Sequence, residues 1–310
     1  MNKVLLLMGP TASGKTSLAL SVAESIPIEI INVDSALIYQ DLNIGSAKPS
    51  TQELSTVPHH LIDIVSPMDS YSVGSFVVDC KQAIDKIHAN GKTPLLVGGT
   101  MMYYNALVNG LSVLPPSNPI LKQTIEDELH RVGGRDKLYQ ELSLVDPRSL
   151  ARININDTQR LVRAIEVYRL SGKAMSDFFI DNISVLDDYE YQAFAIIPSN
   201  RKILHDRISN RSSQMLQLGF IQEVQQLKLK YPNLNRDATS MRSVGYSQVW
   251  SYLAEECNEI ELVELINAAT RQLAKRQLTW LRSMKSCHVL DDELLSQQHL
   301  LQQILSEIKL

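Results

Sequence analysis

Two features of the sequence carry chemistry directly. One is the run Gly9-Pro10-Thr11-Ala12-Ser13-Gly14-Lys15-Thr16; the other is the carboxylate of Asp34. The run has the form G-x-x-x-x-G-K-[ST]. Its glycines let the backbone wrap closely round phosphate oxygens, to which the loop amides donate. The helix N-terminus that follows adds positive potential, and Lys15 adds a full charge. The Thr16 hydroxyl is of the type that ligates a phosphate-bound Mg²⁺. A di- or triphosphate, nucleotide phosphates such as ATP among them, is the ligand this chemistry selects. Asp34 is open to two roles, general base or Mg²⁺ ligand of Walker-B type. Thr100, after Gly98-Gly99, is expected to approach the bound phosphate compound from the next strand, or to cap a helix over 101–107.

Those groups need a scaffold. The segment 4–8 (VLLLM) is apolar on both faces, as suits a strand buried inside a parallel sheet. A helix is predicted over 16–24, a strand over 28–33 ending at Asp34, and a helix over 73–89 stopped by Asn90-Gly91. A third strand covers 94–97 and ends at Gly98-Gly99-Thr100. This rhythm implies an α/β fold, a P-loop NTPase-like parallel sheet whose strand carboxyl ends converge on a ligand crevice. Arg207 and Arg211, on a helix over 201–230, are placed beside that crevice. The rhythm breaks at Leu114-Pro115-Pro116-Ser117-Asn118-Pro119, after which segments are helical to about 188. The domain reading is a core of 1–114 and 190–310 with a helical insertion over 115–189. Further helices are predicted over 259–285 and 293–308, with a last strand at 287–290.

The chain has 310 residues, 44% hydrophobic and 21% charged, so disorder and low-complexity arrays are excluded. A net charge of -4 excludes a uniformly basic nucleic-acid coat protein, yet charge is segregated. Glu255, Glu256, Glu259, Glu261 and Glu264 precede a stretch holding Arg271, Lys275, Arg276, Arg282 and Lys285. At ~100° per residue Arg271, Lys275, Arg282 and Lys285 share a helix face, with Leu278 among them. Leu273, Ala274, Trp280, Leu281 and Met284 form the opposite, packing face. Three scattered cysteines and seven histidines without ligand spacing argue against disulfides and zinc. No segment approaches the ~20 apolar residues of a membrane span, and the opening apolar run is too short for a signal peptide. A cytoplasmic protein without membrane contact is expected.

The whole chain resembles the tRNA dimethylallyltransferases, the IPP transferase family. The likeness rests on the phosphate loop, Asp34-Ser35-Ala36-Leu37, Ile44-Gly45-Ser46-Ala47-Lys48-Pro49 and Val97-Gly98-Gly99-Thr100. It continues through Gln159-Arg160-Leu161-Val162-Arg163, Arg242-Ser243-Val244-Gly245-Tyr246-Ser247 and Lys275-Arg276-Gln277-Leu278-Thr279-Trp280-Leu281-Arg282. The resemblance implies transfer of a dimethylallyl group from dimethylallyl diphosphate to the N6 amine of the adenosine on the 3′ side of the tRNA anticodon. It implies Asp34 as catalytic base, Thr100 as its partner, and Mg²⁺ as cofactor. It also implies tRNA contacts at 34–37, Thr100, 159–163, 242–247 and 275–282, with Lys122 near a further one. No obligate protein partner is implied, and a monomer suffices. Two rivals remain: an ATP-dependent small-molecule kinase, and a nucleotide-switched RNA-binding protein.

Overall fold

The computed structural model describes residues 2–112, 114–179, 184–284, 286–291 and 297–308. Two compact units form, one of Met1–Val108 with Val185–Leu310 and one of Asn109–Ser184. Both edges of the helical unit lie a few residues earlier than the expected 115–189. Val185–Asp188 forms a 3-10 turn whose Leu186 is buried in the core of the larger unit, so these residues side with the strand they lead into.

The larger unit holds β1 (Lys3–Met8), β2 (Ile28–Asn32), β3 (His59–His60), β4 (Thr93–Gly98), β5 (Glu190–Ile196) and β6 (His288–Leu290). They form one six-stranded sheet in the order β3-β2-β4-β1-β5-β6, every pair parallel. Helices α1 (Lys15–Ser25), α2 (Thr51–Thr56), α3 (Val73–Ala89) and α4 (Met101–Asn109) fall between or after the first strands. The smaller unit contributes α5 (Pro119–His130), α6 (Gly134–Val145), α7 (Pro147–Leu150) and α8 (Thr158–Ser171). The larger unit resumes after β5 with α9 (Arg201–Gln217), α10 (Phe220–Lys230), α11 (Tyr246–Leu253), α12 (Glu259–Ser283) and, after β6, α13 (Gln297–Glu307).

The period of two along β1 sends side chains to both faces of the sheet. Leu5 and Leu7 pack with Leu18 and Val22 of α1, while Leu6 and Met8 pack with Phe76, Cys80 and Ile84 of α3. Each such burial stabilises by roughly 1.5–3 kcal/mol. His59-His60 forms a two-residue edge strand paired to Ile30 and Ile31, too short to leave a periodic signal in the sequence. The helix expected over 201–230 breaks into α9 and α10 because Gly219 adopts a left-handed φ of 98°. The helix expected over 259–285 is described to Ser283, and Lys285 and 293–296 lie outside the described residues. Among the described residues, no helix is long and apolar enough to cross a membrane.

The smaller unit packs α5, α6 and α8 round Ile125, Leu138, Leu142, Leu161 and Ile165. Its proline-rich entry is held by one buried carboxylate. Glu166 accepts from Ser117 Oγ at 2.6 Å, from the Asn118 amide at 2.8 Å and from Arg163 Nη1 at 2.5 Å. Arg163 Nη2 also donates to the Pro115 carbonyl at 2.5 Å. Desolvation opposes this charge, but the donors win and hold the Glu166 carboxyl below its ordinary value of 4.5. Removing it strands Arg163 and two further donors. Glu166→Ala should therefore destabilise the protein by about 3–5 kcal/mol in denaturant unfolding. The lowered value means that Glu166 stabilises the fold above pH 4.5 and loses that effect as pH falls below it. The wild-type advantage over Glu166→Ala should shrink accordingly in acid; a constant gap would assign the effect to packing.

Candidate active site

The phosphate loop connects the end of β1, central in the sheet, to the first turn of α1. Gly14 takes the left-handed φ of 81° that starts the helix without a side-chain cap. Ala12 carries a positive φ of 62°, a strained position for a residue with a Cβ. Lys15 Nζ lies back on the loop and donates to the Pro10 carbonyl at 2.6 Å. Burial pushes its pKa down to about 7. Asp34 partly opposes that shift, and the charge of Arg211 adds to it. Arg211 is depressed for the same first reason, desolvation, with Asp34 again opposing. Lys15 and Arg211, both half-buried, therefore flank one carboxylate, an arrangement that favours an arriving anion.

Asp34 follows β2 and is fixed by Asn32, a buried side chain two residues back. Asn32 Oδ1 accepts from the Asp34 amide at 3.0 Å, while Nδ2 donates to the carbonyls of Asp34 at 3.0 Å and Leu61 at 2.9 Å. Asp34 Oδ1 accepts from the Ala36 amide at 2.9 Å, which sets its rotamer. Thr100 comes from β4, the neighbour of β2. Its Oγ1 accepts from the Ser35 amide at 3.0 Å and its own amide donates to the Val33 carbonyl at 3.0 Å. That approach requires Gly98, where a Cβ would overlap the Val33 carbonyl.

These groups open into one cavity of about 650 Å³. Thr11, Ala12, Lys15 and Thr16 line it from the phosphate loop, Asp34–Leu37 and Thr100 from the strand ends, and Arg211 from α9. Arg242–Gly245, together with Arg276, Gln277 and Trp280 of α12, complete the wall. Arg207 is not among them. It lines a smaller cavity behind the loop with Ser13, Gly14 and Ser17, because it sits about one turn before Arg211 on α9. Tyr246 is fully buried against Phe220, edge to face, and donates from its hydroxyl to Glu223 at 2.7 Å. Its place in a nucleic-acid contact segment is thus structural, and Ser247 follows it into α11.

On α12, Ala274 and Leu281 pack as expected, while Leu278 and Trp280 exchange places. The buried stripe of this helix is Ala274, Gln277, Leu278 and Leu281, centred on an apolar ridge at i, i+3, i+4 and i+7. Leu278, expected among the bases, is only 6% exposed, while Trp280, expected to pack, is 42% exposed and lines the cavity. Lys275, Arg276, Thr279 and Arg282 are exposed, and Arg271 is half-buried. In the smaller unit Lys122 pairs with Glu126 at 3.8 Å, and Leu161 and Val162 are core. Arg163 is committed to Glu166 and Pro115, which leaves Gln159 and Arg160 as the exposed residues of that segment. Glu223 carries a role with no sequence signal. It accepts from the amides of Asn43 at 3.1 Å, Ile44 at 2.6 Å and Gly45 at 3.2 Å, fixing the loop that lines the cavity at Gly45–Ala47. A glutamate inside an ordinary helix carries no local signal for that task.

The chain matches the family model for IPP transferase over residues 37–284. It is 49% identical over 280 residues to a tRNA dimethylallyltransferase of Neisseria meningitidis serogroup A, covering 90% of this chain and 89% of the relative. Its fold matches the tRNA isopentenylpyrophosphate transferase of Staphylococcus epidermidis with a TM-score of 0.71 and 31% identity, covering 99% of this chain and 98% of that one. A eukaryotic dimethylallyltransferase solved acting on tRNA matches with a TM-score of 0.82 and 27% identity, covering 100% of this chain and 81% of that one. On these grounds, with a phosphate loop and an Asp34–Thr100 pair facing one cavity, the protein belongs to the IPP transferase family.

Proposed function

We propose that this transferase moves a dimethylallyl group from dimethylallyl diphosphate to the N6 amine of the adenosine on the 3′ side of a tRNA anticodon, giving N6-dimethylallyladenosine and diphosphate. The observation that carries this reading is the shared cavity, in which a diphosphate cradle and a carboxylate–hydroxyl pair meet. An allylic C–O bond breaks readily once the departing diphosphate is stabilised. The loop amides, Lys15 and Arg211 supply that stabilisation in a desolvated setting. The bonding pair leaves with the diphosphate, and the N6 lone pair forms the new bond to the allylic carbon. An adenine amine is a weak nucleophile, because its lone pair is delocalised into the ring. Asp34, accepting a hydrogen bond from that N–H, raises its nucleophilicity and then takes the proton. Thr100 orients the amine from the adjacent strand end.

The target base is out of reach while stacked, so it must be turned into the cavity. Trp280 and Arg276 on the wall offer stacking surfaces for it, and Arg242, Lys275 and Arg282 offer charges for RNA phosphates. Arg160 is a further exposed base for the same use. Among the described residues, no three His, Cys, Asp or Glu side chains converge to hold a metal ion, and Asp34 is the acidic side chain on the cavity wall. This donor set fits Mg²⁺, which keeps its waters and binds chiefly through substrate phosphates. Thr16 and the diphosphate would hold it, where it adds charge stabilisation to the leaving group. The reading takes the protein as a monomer, and a tRNA substrate supports the cytoplasm as its compartment.

Two outcomes test this assignment. Asp34→Ala should lower the transfer rate by about 10²–10⁴-fold while leaving tRNA affinity within about twofold; near-normal turnover would remove Asp34 from the mechanism. Lys15, with a pKa of about 7, is mostly neutral at pH 8 and must charge when a diphosphate binds. Calorimetry of dimethylallyl diphosphate binding at pH 8, in buffers of different ionisation enthalpy, should show uptake of close to one proton that is absent in Lys15→Met. Equal uptake in both proteins would contradict the role of Lys15.

A further inference from the structure

Gln277 lies on α12 between Arg276 and Trp280 and borders the cavity with them, yet it is only 6% exposed. Its side-chain amide does two things at once. Oε1 accepts from the Thr11 amide at 2.9 Å, and Nε2 donates to the Gly99 carbonyl at 2.8 Å. Thr11 belongs to the phosphate loop, and Gly99 immediately precedes Thr100. These partners stand 266 and 178 residues away in the chain, so the contact is wholly tertiary. On one side the amide is continuous with the loop whose next residue, Ala12, is held at positive φ. On the other it is continuous with Thr100, which accepts from Ser35, the residue after Asp34. A single buried amide therefore ties the diphosphate cradle to the turn that presents the reacting pair. The neighbouring Ala274, Leu278 and Leu281 seat the helix in the same core as Met8, Val33 and Leu96, which fixes the amide in place. Only a side chain with an acceptor and a donor on one planar group satisfies both partners.

We infer that Gln277, rather than contacting tRNA, is a positioning residue that sets the distance between the departing diphosphate and the Asp34–Thr100 centre. This rests on the transferase reading above. The reaction joins a carbon held by the loop to an amine held by the strand ends, and misplacement of about 1 Å costs about 100-fold in rate.

The test uses the full chain with unmodified tRNA and dimethylallyl diphosphate. Gln277→Leu, similar in size but without either hydrogen bond, should lower kcat about 100-fold while tRNA affinity stays within about twofold, since the exposed face of α12 is unchanged. Gln277→Glu supplies the diagnostic readout. Its ionised carboxylate accepts from Thr11 but cannot donate to Gly99; its protonated form does both, and burial raises the pKa of such a group. Relative to wild type at the same pH, Gln277→Glu should be as slow as Gln277→Leu at pH 8 and recover about tenfold or more at pH 6. Gln277→Leu should show no such recovery. A pH-independent ratio for Gln277→Glu, or wild-type kcat in Gln277→Leu, would overturn the inference. A wild-type protein without transfer would instead contradict the assigned reaction and leave the tie untouched.

Discussion

The molecule depends on one geometric constraint. In an all-parallel sheet the carboxyl ends of neighbouring strands lie along one edge, and whatever follows them shares a space. Here β2, β4 and β1 stand side by side, so the turns after them carry Asp34, Thr100 and the phosphate loop to one place. The chain uses that edge tightly: Gly98 lets the end of β4 press against Val33, and Asn32 clasps the backbone of Asp34 from both sides. The hydrophobic core supplies rigidity, because the strands that end there are buried on both faces.

Electrostatics follow from that closeness. Lys15 and Arg211 are half-buried around one carboxylate, and desolvation is the leading cause of the shift in each. Such a site carries its cost in advance. An arriving diphosphate supplies anionic charge that favours the charged form of Lys15 and pairs with Arg211, which gives the departing group of the reaction a prepared environment. The same loop in a nucleotide-hydrolysing protein would meet a carboxylate placed for water or a metal. Here β4 is followed by Gly99 and Thr100, which brings a hydroxyl beside Asp34.

Much of this was legible because its signals are local. The phosphate loop needs glycine at fixed positions, Asp34 and Thr100 each close an apolar run, and the proline-dense stretch marks where the sheet pauses. The rest depends on partners far away in sequence. On α12 the spacing of the bases alone places Trp280 in the core and Leu278 in solvent, whereas the apolar ridge buries Leu278 and exposes Trp280. The misplaced leucine among the bases was the available clue. Gln277 looked like one polar residue in a basic helix; its role appears only when Thr11 and Gly99 are brought to it. Glu223 and the edge strand at His59-His60 left no periodic trace. Arg163 and Tyr246 kept the residue types of a nucleic-acid surface while serving buried neighbours.

The central claim is that the phosphate loop holds a prenyl diphosphate whose allylic group leaves for an RNA amine. It is tested most directly by incubating the protein with unmodified tRNA, Mg²⁺ and dimethylallyl diphosphate labelled in the allyl group, beside a matched tube holding labelled ATP. Label should enter tRNA from the prenyl donor, with diphosphate released in equal amount, and ATP should be left intact. Consumption of ATP with no label in the tRNA would contradict it and return the loop to nucleotide chemistry.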